Sequence, residues 1–299
     1  MRRRIFIVVN PTAGSPRREL LAAVLGHLRA AGADITLIEP DQAALASDLV
    51  GNACADHDVI VAAGGDGTVR QVAAAISGSG RPLGLIPLGT GNVLAREIGL
   101  GSDPQGIADT LIHGRITEVE GGIVNRQPFY LMVGVGFDGR AVDLLDQHRK
   151  RRLGRAAYAG PLLRSWWRAP DEFAVTIDGH GHSANWLIVT NVQHYAGNFV
   201  LTRATSIFKP GLKGILIRAA TRADLALRVW ALARGGLTTA SSPAVQVLDF
   251  ETMHIAAANV PVQVDGDRFG CTPLTITDGG SRLRLLVPTP RPAAGPSRR

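Results

Sequence analysis

Only 2 cysteines, Cys54 and Cys271, occur in 299 residues, too few for a disulfide framework or a Cys-rich zinc site. A reducing compartment is therefore expected, with both thiols read as buried apolar side chains. No apolar run approaches the ~18 residues of a membrane-spanning helix. After Arg2-Arg3-Arg4 the first run, Ile5–Val9, also falls short of the about 7–15 residues of a secretory core, so neither spanning nor export is expected. The P-loop pattern Gly-x-x-x-x-Gly-Lys-Ser/Thr is missing, and no internal repeat is found. Charged residues reach only 19% against 45% hydrophobic, too apolar for a disordered chain and sufficient for about two domains.

Acids are the scarcer charge. The 32 Lys and Arg exceed 25 Asp and Glu, for a net charge of +7, which favours nucleotides, nucleic acids or acidic lipid surfaces without choosing among them. Glycine is plentiful at 35 residues, which predicts many tight turns.

The first ~120 residues alternate short apolar runs with helical spacing. Ile5–Val9, Ile35–Ile38, Asp58–Ala63 and Leu83–Ile86 read as strands of a parallel sheet. Arg18–Ala31, Gln42–Asn52, Val69–Ile76 and Val93–Ile98 read as the helices between them. Beyond Gly114 the pattern turns to short strands, including Ala184–Val192, Leu274–Ile276 and Leu283–Val287, interrupted by helices over Arg140–Trp167 and Ala223–Arg234. The expected organisation is an α/β domain over 1–120, a β-sandwich domain over 121–287 and a disordered tail over 288–299.

Two glycine-rich turns follow two of the parallel strands: Gly64-Gly65-Asp66-Gly67-Thr68 and Gly89-Thr90-Gly91-Asn92. Such turns let backbone N–H groups approach a phosphate at the start of a helix. Asp66 beside a phosphate implies an intervening cation or hydroxyl, unless it is simply an N-cap. Asp265-Gly266-Asp267 reads either as an acidic site or as a hairpin turn. Gly134-Val135-Gly136-Phe137-Asp138-Gly139 matches the dinucleotide fingerprint, but alone and where the βα alternation has stopped. His180 and His182 fall at an expected exposed hairpin tip.

Taken in order, Asn10-Pro11-Thr12-Ala13-Gly14, the Gly64–Thr68 turn, Pro87-Leu88-Gly89-Thr90-Gly91-Asn92-Val93-Leu94-Ala95-Arg96 and Val264-Asp265-Gly266-Asp267 resemble the diacylglycerol/sphingosine kinase catalytic-domain family, in its soluble bacterial lipid kinase branch. Gly136-Phe137-Asp138 and Arg152–Tyr158 are similar to further family segments, and the resemblance covers about residues 5–287. It implies an NAD kinase/phosphofructokinase-like parallel α/β domain, a β-sandwich domain and a nucleotide cleft between them. By that resemblance Asn10, Pro11, Thr12, Ala13 and Gly14, with Gly64, Gly65, Asp66, Gly67, Thr68, Val69 and Arg70, hold ATP phosphates and ribose. Gly89, Thr90, Gly91 and Asn92 form the second phosphate turn. Asp265 is implied as the proton acceptor, with Asp66 its competitor; Asp66 and Asp267 are implied near a nucleotide-associated Mg2+, and Asp138 as support for the acidic cluster.

The implied activity is ATP- and Mg2+-dependent phosphorylation of a lipid hydroxyl, diacylglycerol first, at the inner face of an anionic membrane. It places the chain in the cytoplasm, assigns no nucleic-acid partner and leaves a homodimer open. Basic and apolar residues over Arg149–Arg155 and Ala223–Arg234 suit such a surface, or a solvated face over a core. Arg70-Gln71 stand where the family commonly has Asn-Glu. Lys209-Pro210-Gly211-Leu212-Lys213-Gly214 replaces an acidic segment that holds a structural magnesium in relatives, so no metal is expected there; Asp224 is the alternative acid. The competing readings are an NAD kinase-like enzyme with a soluble acceptor and a catalytically silent nucleotide- or lipid-binding regulator.

Overall fold

The apolar runs of the N-terminal third become parallel strands in a computed structural model, which describes residues 2–10, 15–40, 47–143, 171–195, 199–235, 237 and 243–289. The order is β1 (Arg4–Val9), α1 (Ser15–Ala30), β2 (Asp34–Ile38), α2 (Ser47–Asp56), β3 (Val59–Gly64) and α3 (Asp66–Ala75). Then come β4 (Leu83–Pro87), α4 (Val93–Glu97) and α5 (Pro104–His113). β1 pairs in parallel with β2 and β3, and β3 with β4. Every residue of β3 is buried, as a strand covered on both faces requires. In α1, Leu21, Val24, Leu25 and Leu28 form the buried stripe, and Gly32 with φ +75° ends it in the left-handed region. α5 starts on Asp103, whose carboxylate accepts from the Gly106 N–H at 2.8 Å, with Pro104 in the first turn. α1 packs with α5, and α2 with α3.

The second half runs β5 (Arg115–Val124), β6 (Gln127–Phe129), β7 (Met132–Gly136), α6 (Phe137–Asp143), β8 (Phe173–Ile177), β9 (His180–Ala184) and β10 (Trp186–Thr190). It continues with β11 (His194–Tyr195), β12 (Phe199–Val200), β13 (Lys213–Ile217), α7 (Arg222–Ala233) and β14 (Val245–Leu248). β15 (Thr252–Ile255), β16 (Pro261–Val264), β17 (Asp267–Cys271) and β18 (Leu274–Val287) complete it. A six-stranded sheet, β14-β13-β10-β7-β16-β17, faces β18, β15 and β8. Alternate residues meet between them: Val133, Val135, Leu187, Val189, Val262 and Val264 from one side, Val175, Ile177, Met253, Ile255 and Ile276 from the other. Burial of each such side chain contributes about 1.5–3 kcal/mol. The outer face of the six-stranded sheet is covered by Leu225 and Leu232 of α7, lying on Trp186, Ile215 and Ile217. α7 is capped by Thr221 and Asp224 in a reciprocal capping box.

The fold class is the one expected, an α/β domain followed by a β-sandwich, but the two are joined more closely than short strands suggest. Leu274–Ile276 and Leu283–Val287 belong to one strand, β18. Asp278-Gly279-Gly280 is no hairpin turn but a bulge against β5, with Gly279 and Gly280 at φ +71° and +82°. The far end of β18 pairs in parallel with β4, Leu285 opposite Leu83, so the last strand of the chain adds to the N-terminal sheet.

Other boundaries differ for local reasons. Asn185 separates β9 from β10, and its side-chain oxygen accepts from the Ala219 N–H at 2.7 Å. α2 is described over Ser47–Asp56, and residues 41–46, where the expected helix start falls, lie outside the described set. Of the Arg140–Trp167 helix only the end of α6 is described, and 290–299 of the expected tail are outside. Cys54 is buried as expected; Cys271, on edge strand β17, is exposed. The β8–β9 turn has Asp178 and Gly179 at φ +47° and +83°, with His180 exposed beside it.

Candidate active site

The sheet order β2-β1-β3 means the chain leaves β1 to one side and returns on the other. Between those diverging connections, at the carboxyl ends of β1 and β3, α/β sheets form ligand crevices. Asn10 follows β1 there. Its N–H donates to the Ala63 carbonyl at 3.0 Å and its side-chain amide to Thr68 Oγ1 at 3.1 Å. Pro11, Thr12, Ala13 and Gly14 lie outside the described residues.

The two glycine turns touch each other. A Cβ on Gly65 would lie 3.2 Å from Gly89 Cα, and one on Gly89 would overlap Gly65. A Cβ on Gly64 would overlap the Thr68 side chain. Asp66 is not the N-cap of α3: Gly65 occupies that position without a side-chain bond, and Asp66 is the first helical residue. Its carboxylate Oδ1 instead accepts from the Leu94 N–H of α4 at 3.3 Å, and its Oδ2 would lie 3.0 Å from a Cβ on Gly91. The Asp66 side chain thus links the turn it opens to the next one. Asn92 adopts φ +48° and donates its amide to the carbonyls of Pro87 (3.3 Å) and Gly89 (2.9 Å); its buried Oδ1 has no partner among the described residues. Thr90 Oγ1 accepts from Arg17 Nη2 at 2.8 Å, so α1 places a guanidinium on the second turn. Val69 is largely buried: its side chain joins the core and lines a small cavity with Gly64, Gly65, Asp66 and Asn92, and its N–H donates to the Gly65 carbonyl at 3.0 Å.

Asp265-Gly266-Asp267 has the hairpin geometry. It is the turn between β16 and β17, with Asp265 and Gly266 at φ +51° and +85°, and of its two acids Asp267 lies against the first glycine turn at Gly67. The Asp265 carboxylate is only 4% exposed. Oδ1 accepts from the N–H groups of Leu131 (3.0 Å) and Met132 (2.9 Å), and Oδ2 from Tyr130 (3.2 Å). Burial pushes its pKa up to about 6, outweighing those backbone bonds and the weaker pull of Arg70. Asp267 points the other way, onto α3. Its Oδ2 lies 3.4 Å from Arg70 Nη2 and would be 2.5 Å from a Cβ on Gly67. Arg70, the departure from the family's Asn, therefore faces the acidic hairpin, and its buried Nε has no partner among the described residues.

Behind this hairpin lie Asp138, implied by the resemblance as support for the acidic cluster, and several residues that sequence reasoning missed. Asp138, buried, accepts from Tyr195 in a short bond and from Gln263 Nε2 at 2.8 Å; burial raises its pKa. It does not touch the Asp265 carboxylate. Gly134-Val135-Gly136-Phe137-Asp138-Gly139 is accordingly a packing motif and no fingerprint: Gly134 makes room for Asp138, and Gly139 for the Pro261 backbone. Glu97 accepts from both His194 Nδ1 (2.7 Å) and the His194 N–H (2.8 Å). Only Asp138 carried a signal, within that glycine motif; Arg17, Glu97, His194, Tyr195 and Gln263 carried none.

At the segment 209–214, Asp278 Oδ1 accepts from the Leu212 N–H at 3.0 Å and Lys213 pairs with Asp249, while Asp224 serves its capping box. No cluster of three or more His, Cys, Asp or Glu occurs among the described residues. No helix among them is long and apolar enough to cross a membrane.

Residues 4–124 match the diacylglycerol kinase catalytic domain, and 131–287 the YegS C-terminal NAD kinase beta sandwich-like domain. A diacylglycerol kinase of Mycobacterium tuberculosis is 26% identical over 298 residues, 95% of each chain. An uncharacterised protein of Synechocystis sp. is 30% identical over 237 residues, 77% of this chain; the chain spans about half of that relative, 54%. A solved Bacillus anthracis structure superposes with TM-score 0.75 at 19% identity, over 96% of this chain and 97% of that one.

Proposed function

We propose, since the chain belongs to the diacylglycerol kinase catalytic-domain family with a YegS-type second domain, that it transfers the terminal phosphoryl group of ATP, with Mg2+, to a lipid hydroxyl. The enzyme class, a phosphotransferase with an alcohol group as acceptor, follows from that membership. A diacylglycerol-like acceptor is the first choice. The observation that carries the reading is the meeting of hairpin and turn, Asp267 against Gly67 and Arg70.

The residues suit a nucleoside triphosphate. Two turns whose glycines let them pack against each other, the first turn of α3, and the guanidinium groups of Arg17 and Arg70 provide a cradle for anionic oxygens. Asp66 and Asp267 are the carboxylates that would hold Mg2+, matching the one or two that this ion usually takes alongside phosphate. Bound there, the ion neutralises charge on the transferring phosphate. Asp265 is assigned the acceptor proton. Oδ2, with its single amide donor, keeps a lone pair for the lipid hydroxyl, and a carboxyl with pKa about 6 is ionised at neutral pH yet more basic than an ordinary Asp.

The acceptor's location accounts for an otherwise costly surface. Leu227 and Trp230, one turn apart on α7, are 50% and 55% exposed, and Arg234 stacks on the Trp230 ring at 4.6 Å. Phe199 of β12, beside α7, is also exposed, and Arg222 adds charge. With the net charge of +7, this face suits the headgroup layer of an anionic membrane at its cytoplasmic side. Arg149–Arg155 lies outside the described residues.

Incubation with γ-labelled ATP, Mg2+ and vesicles containing diacylglycerol, beside NAD as soluble acceptor, tests the reading. Label in the lipid phase supports it; label on NAD, or nucleotide binding without transfer to either, replaces it with one of the competing functions.

A further inference from the structure

Strand β11 is two residues long, yet each of its side chains grips a different half of the site. His194 binds Glu97, the last residue of α4, through both its ring Nδ1 (2.7 Å) and its backbone N–H (2.8 Å). The Glu97 carboxylate is only 4% exposed, whereas the His194 ring is 32% exposed, so the acid end of the pair is the buried one. α4 is the helix that follows the second glycine turn, and its Leu94 N–H binds Asp66. Tyr195, the next residue, donates its hydroxyl to Asp138. The other Asp138 oxygen accepts from Gln263 Nε2, which fixes the Gln263 amide so that Oε1 accepts from the Gly266 N–H at 2.8 Å. Gly266 is the second central residue of the turn that carries Asp265 and Asp267.

From this chain of bonds we infer that the His194–Tyr195 strand is a positioning element, holding the Asp265–Asp267 hairpin in register with the two nucleotide turns. The inference rests on the lipid kinase reading and adds the coupling between its two halves. None of Glu97, His194, Tyr195, Asp138 or Gln263 needs to touch a substrate. The buried carboxylate of Asp138 loses a partner whenever Tyr195 or Gln263 is removed, and an unpaired buried carboxylate is costly, so the links act together. A shift of the hairpin by a fraction of an ångström moves the proton acceptor relative to the phosphate, the kind of misplacement to which transfer is most sensitive.

Hydrogen exchange of the nucleotide-free protein reads this coupling without any acceptor, so it stands apart from the question of which lipid is used. Tyr195→Phe, which keeps the ring beside Trp186, and His194→Ala, which acts from the far end of the chain of bonds, should each speed exchange of the 264–267 amides by about tenfold. With the unmodified chain shown to transfer phosphate, Tyr195→Phe should lower kcat by roughly 10- to 100-fold with the KM for ATP nearly unchanged. Exchange changes confined to residues 194–200, or a raised KM for ATP at normal kcat, would overturn the inference. Failure of the unmodified chain to phosphorylate any lipid tells against the lipid kinase reading, while the exchange result still decides the coupling.

Discussion

Asp267 closes on Gly67. A methyl group at Gly67 would stand 2.5 Å from Asp267 Oδ2, so a hairpin of the second domain rests on the first turn of a helix in the first. Gly67→Ala should therefore displace the hairpin carboxylate rather than distort the helix, since alanine is a good helix residue. Transfer should drop by as much as about 10²-fold with the melting temperature little changed. On an Asp267→Ser background, where the clashing oxygen is gone, Gly67→Ala should cost little further transfer, and comparison of the double variant with Asp267→Ser alone is the check.

The raised pKa of Asp265 sets a pH dependence. In the role of proton acceptor proposed for it Asp265 would work ionised, so kcat/KM should climb with pH to about 6 and level off above it. The Arg70 charge favours the ionised form, although burial outweighs it; Arg70→Gln should move the acid limb to higher pH. The folded chain holds this proton more tightly than the unfolded chain, whose Asp titrates near 3.8. Asp265's contribution to stability therefore falls as pH rises from there towards 6. A limb unmoved by Arg70→Gln would separate the two groups.

Arg17 reaches the second turn through Thr90. Arg17→Ala should raise the KM for ATP by about tenfold or more, the usual effect of losing a charge-assisted bond, with a smaller change in kcat. Steady-state kinetics with ATP varied at saturating lipid measures it.

Leu227 and Trp230 predict a docking face. Binding to vesicles should grow with anionic lipid and weaken in high salt. Leu227→Ala/Trp230→Ala should reduce sedimentation with vesicles while leaving ATP binding intact. Equal binding to neutral and anionic vesicles would remove the electrostatic part of the account.

The sheet and the glycine turns were legible because they are written in contiguous residues: a buried parallel strand needs an unbroken run such as Val59–Ala63, and a turn such as Gly64–Thr68 needs its glycines side by side. The supporting groups are not contiguous. Arg17 meets Thr90, Glu97 meets His194 and Tyr195 meets Asp138 only once the chain is folded, and nothing local marks Arg17, Glu97, His194 or Tyr195. β18 hid for a related reason. Asp278-Gly279-Gly280 has the composition of a hairpin turn, and only pairing with β5 on one side and β4 on the other makes it a bulge in a continuous strand.

The central claim is that Asp265 takes the proton of a lipid hydroxyl while the glycine turns hold the nucleotide. The measurement that tests it most directly is single-turnover transfer from γ-labelled ATP to diacylglycerol in vesicles by Asp265→Asn, at saturating ATP. The account predicts transfer slowed by about 10²–10⁴-fold with ATP affinity retained. Transfer at the unmodified rate by that variant, with Asp66→Ala inactive, would contradict the claim and give the role to Asp66.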